Sequence, residues 1–178
     1  MKRTIIVFGL AASLVLGLFL AIITITKRND ANGMATGMYF GYAMMLVAFS
    51  VIFVAIKNYR DKHLGGSISF GKAFQIGLGI TLIASVFYVI TWLILYATVV
   101  PDFMDKYIAM ELEQMRKAGK SALEIQKQAE EMNGYKEMYK TWYGRAGLTF
   151  MEVFPVGLIV SLIAALVMKR KKKQVQMA

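Results

Sequence analysis

The run AFQIGLGITLIASVFYVITWLILYATVV, Ala73–Val100, contains no Asp, Glu, Lys, Arg or His. At about 1.5 Å per helical residue it exceeds the roughly 30 Å of a bilayer's hydrocarbon core, with every backbone group bonded inside its own segment. Working outward, Thr4–Thr26, Met34–Ile56 and Gly147–Met168 repeat the pattern, broken only by Glu152. The sequence therefore predicts an all-α four-helix transmembrane bundle. Residues 1–100 carry spans one to three, 101–146 form an extracytoplasmic amphipathic helical insert, and 147–178 hold span four and a basic tail.

The net charge of +10 acquires meaning once the spans are drawn. Lys2 and Arg3, then Lys57, Arg60, Lys62 and Lys72, then Lys169, Arg170, Lys171, Lys172 and Lys173 share one side with Asp61 as their only acid. On the other side Lys27 and Arg28 meet Asp30, and the bases and acids of the long third connection cancel. The positive-inside rule then puts both termini in the cytoplasm of a multi-pass protein, expected in a bacterial inner membrane. A basic balance arranged in this way is a topology signal, and no nucleic-acid partner is expected. The expected partners are the bilayer itself, with anionic lipids on the cytoplasmic face, a membrane or envelope protein, and a second copy in a homo-oligomer.

The opening Met1-Lys2-Arg3 resembles the start of a secretory signal. However, the apolar run from Ile5 to Ile25 is longer than a typical h-region, and no small-x-small cleavage site precedes Lys27, so it reads as a retained anchor. With no cysteine, neither disulfides nor thiolate chemistry is available.

Small residues recur at four-residue spacing in every span: Gly9, Ser13, Gly17 and Ala21; Gly33, Gly37 and Gly41; Ala73, Gly77, Thr81 and Ser85; Gly157, Ser161 and Ala165. Lipid is as apolar as a neighbouring helix, so association depends on close backbone approach, which such ladders permit. The expectation is one tight bundle with Gly37 in a close contact, a self-association face being the other use of these residues.

The third connection reads as helices. Pro101 and Asp102 open one, which runs through Phe103, Tyr107 and Met110 to Arg116 and Lys117 before Gly119. Ser121 and Glu124 form a capping-box signature for a second, expected to stop at Asn133-Gly134. Tyr135, Met138, Tyr139, Trp142 and Tyr143 then fall on one helical stripe, suited to a helix lying in the headgroup region.

Two places carry candidate chemistry. The turn with Tyr59, Arg60, Asp61 and Lys62, followed by Lys72, reads first as a topology determinant and as a candidate to hold a lipid headgroup or a partner; its neighbour His63 reads as a solvated side chain. Glu152 is the sole acid inside a predicted span. It sits a few residues from the start of that span, and Pro155 leaves the Met151 carbonyl without its helical donor. It reads as an interfacial or structural anchor for the outer end of span four, with a polar anchor inside the bundle and an ion or proton site as the alternatives, and with Arg145 as a partner if both side chains reach. No catalytic constellation, metal-ligand cluster or cofactor motif is present, so no catalytic residue, cofactor or metal is expected.

The run from Gly41-Tyr42 through Phe49, Ile56-Lys57 and Tyr59-Arg60-Asp61-Lys62, then Gly66-x-Ile68-x-Phe70-Gly71-Lys72-Ala73, Gly77, Tyr88 to Trp92, and Thr149-Phe150-x-Glu152-x-Phe154-Pro155-Val156-Gly157-Leu158 resembles domain-of-unknown-function family 4199. The resemblance covers essentially the whole chain. It implies a small four-span bacterial envelope protein of the Bacteroidetes type. No reaction, substrate or partner is established for the family, so it supplies no site residues. The expected function is a non-catalytic accessory or scaffold subunit of the inner membrane, the alternative being a small transporter or lipid-handling protein that uses Glu152 and the basic loop.

Overall fold

Helix follows helix along the chain because its apolar segments have no water to satisfy their backbone and must bond internally. The computed structural model describes residues 1–27 and 31–170, the side chains of 31–36 and 38 excepted. Arg28, Asp30 and Lys171–Lys173, together with the surroundings of Gly33, lie outside the described residues. The elements are α1 (Lys2–Lys27), α2 (Ala31–Phe49), α3 (Val51–His63), α4 (Phe70–Thr98), α5 (Phe103–Lys117), α6 (Ala122–Tyr139) and α7 (Trp142–Met168). No strand occurs among the described residues, only an isolated bridge between Ile68 and Arg170.

Four segments are long and apolar enough to cross a membrane: Lys2–Lys27, Tyr39–His63, Phe70–Thr98 and Trp142–Met168. The chain is an all-α four-helix transmembrane bundle. The second span comprises α2 and α3, which meet at Ser50, where the hydroxyl back-bonds to the Val47 carbonyl at 2.6 Å. The Ser50 amide is shared between Leu46 and Val47, tightening one turn without ending the span. Side chains such as Leu14, Leu18, Ile22, Ile94, Ile159 and Val167 point outward, exposed as lipid-facing residues are.

The long α4 is the centre of the bundle and packs most extensively on α7 and α1. Phe49, Ile52, Ile56, Ile76, Ile80 and Val153 are fully buried where α3, α4 and α7 converge. Small residues govern the spacing here. A Cβ on Gly157 would meet Thr81 Cγ2 at 2.5 Å and Phe49 Cζ at 2.7 Å, and one on Gly77 would meet Ser161 at 2.9 Å. Thr81 and Ser161 hydrogen-bond across the same contact at 3.0 Å. On α1, Gly9 would meet Ile83 at 3.0 Å and Gly17 would meet Thr91 at 3.4 Å, while Ser13 returns its hydroxyl to the Gly9 carbonyl.

The α2 ladder behaves differently from expectation. A Cβ on Gly37 would reach Ile23 only at an ordinary 3.7 Å, and nothing lies within 4 Å of one on Gly41. These glycines border open space.

Between α4 and α7 lies a helical insert. The α5 helix ends in a Schellman arrangement: Gly119, at φ 71°, bonds to Arg116, and Lys120 bonds to Met115. The Ser121–Glu124 capping box opens α6. Contrary to the expected stop at Asn133-Gly134, α6 continues to Tyr139. A glycine inside a helix costs only about 1 kcal/mol, and this turn is held by buried Met132, by an ion pair between Lys136 and Asp105, and by Tyr139 packing on the bundle. The break falls instead at Thr141, whose hydroxyl accepts from the Gly144 amide at 3.1 Å and caps α7. A Cβ on Gly144 would overlap the Met138 carbonyl, so the turn needs glycine there. The predicted aromatic helix is therefore two half-helices.

Candidate functional site

Splitting the aromatic stripe sends its members to different places. Trp142 and Tyr143, 68% and 64% exposed, face outward along an apolar groove of about 720 Å³ with Ile90 and Met151. Tyr135 is exposed at the end of α6. Tyr139 is half-buried against the bundle, and its hydroxyl accepts from Trp92 Nε1 at 3.1 Å and hydrogen-bonds Thr149. Burial holds this hydroxyl above the ordinary tyrosine range against both hydrogen bonds, so it stays protonated. Phe103 packs edge-on to Trp92, with centroids 4.9 Å apart, and Tyr96 lies 5.7 Å from Tyr139. This aromatic cluster fastens the insert to the end of α4.

Beneath the insert, where α1, α2, α4 and α7 splay apart, is a cavity of about 440 Å³. Its walls include Tyr42 of α2, Tyr88 and Trp92 of α4, Tyr107 of α5, Tyr139 of α6 and Glu152 of α7. Gly37 and Gly41 line it too, and their missing side chains are part of why the space exists. Leu16, Leu20 and Ile23 supply an apolar wall from α1.

Glu152 reaches the cavity because it lies three residues after buried Thr149 on the same face of α7. The helix starts at Trp142, ahead of the apolar run, so Glu152 stands ten residues along it, roughly 15 Å. Its side chain is accessible, and part of that accessible surface is cavity wall. Arg145 does not serve as its partner. The Arg145 guanidinium covers the Tyr96 ring at 4.5 Å from its centroid and donates to the Tyr139 carbonyl at 3.0 Å. Among the described residues, no hydrogen bond or ion pair to the Glu152 carboxylate is present. Two cations also line the cavity, Lys27 and Lys106. Lys106 pairs with Asp102 at 2.9 Å, and Lys27 has an interaction of its own.

At the opposite end of α7 the basic turn is closed on itself. Arg60 is only 8% exposed; it pairs with the adjacent Asp61 carboxylate through Nε at 2.7 Å and Nη2 at 3.2 Å, and leans on the Met168 carbonyl. Leu64 and Gly66 both donate to the Arg60 carbonyl, a turn made by Gly65 and Gly66 at φ 61° and 84°. The loop then docks on the end of α7 through reciprocal Ile68–Arg170 amide bonds at 3.0 and 2.9 Å. Tyr59 stacks on His63, with ring centroids 5.0 Å apart. Arg60 is thus occupied within the fold, while Lys57, Lys62 and Lys72 are exposed cations of this face.

Among the described residues no group of three or more His, Cys, Asp or Glu side chains could hold a metal ion. Tyr42 and Tyr88 were visible in the sequence as residues of the family resemblance and Tyr107 as part of an insert helix, but nothing in their spacing joined them to Glu152, since each comes from a different helix.

No curated protein and no solved structure matches the chain. The family model described as "Protein of unknown function (DUF4199)" matches residues 7–170, nearly the full length, in keeping with the four spans and their order. The chain belongs to the DUF4199 family.

Proposed function

We propose that this protein binds a lipid-like small molecule within the membrane, the insert forming the roof of the site. The cavity carries this reading: it has a volume in the range usual for small-molecule sites, mostly apolar and aromatic walls, and one convergent carboxylate. The bundle sits in a bacterial cytoplasmic membrane with both termini inside and α5 and α6 outside. Lys57, Lys62 and Lys72 then face the anionic lipids of the inner leaflet, each able to contribute about 1 kcal/mol of attraction. Charge asymmetry across the spans supports this orientation.

Purification from native membranes, followed by delipidation and mass spectrometry, tests the proposal. A molecule retained in stoichiometric amount after the annular lipid is stripped is the expected result. A stoichiometric protein with no retained small molecule would replace it with the accessory-subunit reading, which the exposed Trp142 and Tyr143 groove favours as a docking face for another membrane helix, whether of a second copy or of another envelope protein. Orientation is checked separately, the chain having no native cysteine. In intact spheroplasts a membrane-impermeant thiol reagent should label Lys120→Cys and leave Lys62→Cys untouched.

A further inference from the structure

A carboxylate on the wall of a largely apolar cavity is best stabilised by a group of opposite charge. Around Glu152 such a partner is missing from the described residues. Arg145, the nearest basic residue along α7, is held against Tyr96 and the Tyr139 carbonyl, and the two lysines on the cavity wall have interactions of their own. The carboxylate is accompanied instead by the rings of Tyr42, Tyr88, Trp92 and Tyr139. Aromatic faces attract cations, and more strongly where water is excluded. A carboxylate with aromatic walls is the donor set that suits an ammonium group, whose hydrated alternative it replaces without demanding a directional hydrogen bond. Beyond this head site, Leu16, Leu20, Ile23 and Met45 offer only apolar contact.

We infer that the cavity selects amphiphiles with a cationic ammonium head, the head seated at Glu152 among the tyrosines and the apolar tail lying along α1. This rests on the cavity being a binding site, as proposed above, and adds the charge class of its occupant. An anionic amphiphile is disfavoured because it would face the Glu152 carboxylate, with cavity cations that already have partners. The same geometry makes no distinction between a lipid amine and a free hydrophobic amine, so head chemistry is the property to test.

Trp92 lies in the cavity wall and is one of only two tryptophans, so Trp142→Phe leaves a single reporter. The full-length Trp142→Phe protein, in nanodiscs of zwitterionic lipid, is titrated with cetyltrimethylammonium, cetyl alcohol and palmitate, which share a chain length and differ in head charge. The ammonium probe should saturate the Trp92 fluorescence change at a concentration about tenfold or more below that of the alcohol, with palmitate weakest. Glu152→Gln should bring the ammonium probe to the level of the alcohol, and Glu152→Asp should keep the preference. Equal binding of ammonium and alcohol, or a preference for palmitate, overturns the cationic assignment while leaving the cavity a binding site. If all three probes leave Trp92 unchanged, the binding reading falls as well. The wild-type comparison of the three heads decides the matter even if Glu152→Gln fails to fold.

Discussion

The two halves of the bundle use the same kinds of residue to opposite ends. Where α3, α4 and α7 converge, Gly77 and Gly157 bring backbones so close that a methyl group has no place, and the Thr81 hydroxyl bonds to that of Ser161, which donates in turn to the Gly157 carbonyl. Under the insert, Gly37 and Gly41 keep α2 slim beside an open cavity, and polar side chains line it. A glycine ladder is therefore permission for proximity, and the neighbouring helices decide whether the permission is used. The most direct way to break this contrast is one methyl group on each side. Gly157→Ala should lower stability in detergent by about 1–3 kcal/mol, the usual cost of overpacking. Gly41→Ala should leave it unchanged or slightly raised, as helix propensity favours alanine by up to about 1 kcal/mol. Equal melting temperatures for the two variants would remove the distinction between the halves.

Next in size is the attachment of the cavity's roof. Tyr139→Phe deletes the acceptor of the Trp92 indole and the partner of Thr149, leaving polar groups of the aromatic cluster without a bond. A stranded donor costs about 1–3 kcal/mol when buried. Faster hydrogen exchange should appear in α5 and α6 while the α4–α7 contact stays protected. A uniform loss across all spans would mean that the insert and the packed half form one cooperative unit. A smaller effect is expected from Thr81→Val, which keeps the shape and removes the hydrogen bond to Ser161; in membrane bundles such bonds average about 0.6 kcal/mol. Its melting temperature should fall much less than that of Gly157→Ala, showing that close packing, more than polar bonding, holds this half together.

The contrast also explains what could be read from the sequence. Spans, their order, the capping box and the insert's helical nature follow from signals contained in a few neighbouring residues: an uncharged run long enough for a bilayer, or Ser121 three positions before Glu124. The behaviour of Gly37 and Gly41 depends on which neighbours approach α2, which no ladder encodes. The Asn133-Gly134 stop failed because local propensity was outweighed by tertiary anchors on either side, Met132 and Tyr139. Tyr139 looked interfacial because its stripe continued through Trp142, and only the Thr141 cap, with the close approach at Gly144, cuts that stripe. Glu152 was legible as an exception in an apolar run. Its surroundings were not, because the rings facing it come from α2, α4 and α6.

The smallest expected effect lies at the start of α6, where the roof is held by local charge rather than by packing. Glu124 accepts from the Ser121 amide and hydroxyl at 2.9 Å each and from the Lys120 ammonium at 3.3 Å. The Ser121 backbone bond first, then its hydroxyl and Lys120, hold the Glu124 carboxyl below its ordinary value of 4.5. A carboxylate lowered in this way supports the folded turn at pH values above its unfolded pKa, and that support is lost as pH falls through the lower folded value. Amide exchange in the first turn of α6 should therefore quicken as pH is taken below about 4.5, once the intrinsic pH dependence of exchange is removed. Glu124→Gln should show the looser turn already at neutral pH and lose the acid step. The rest of the bundle should not respond, because the exposure of this ion pair to solvent leaves its charges screened and its contribution local. An acid step that persists in Glu124→Gln would place the titrating group elsewhere.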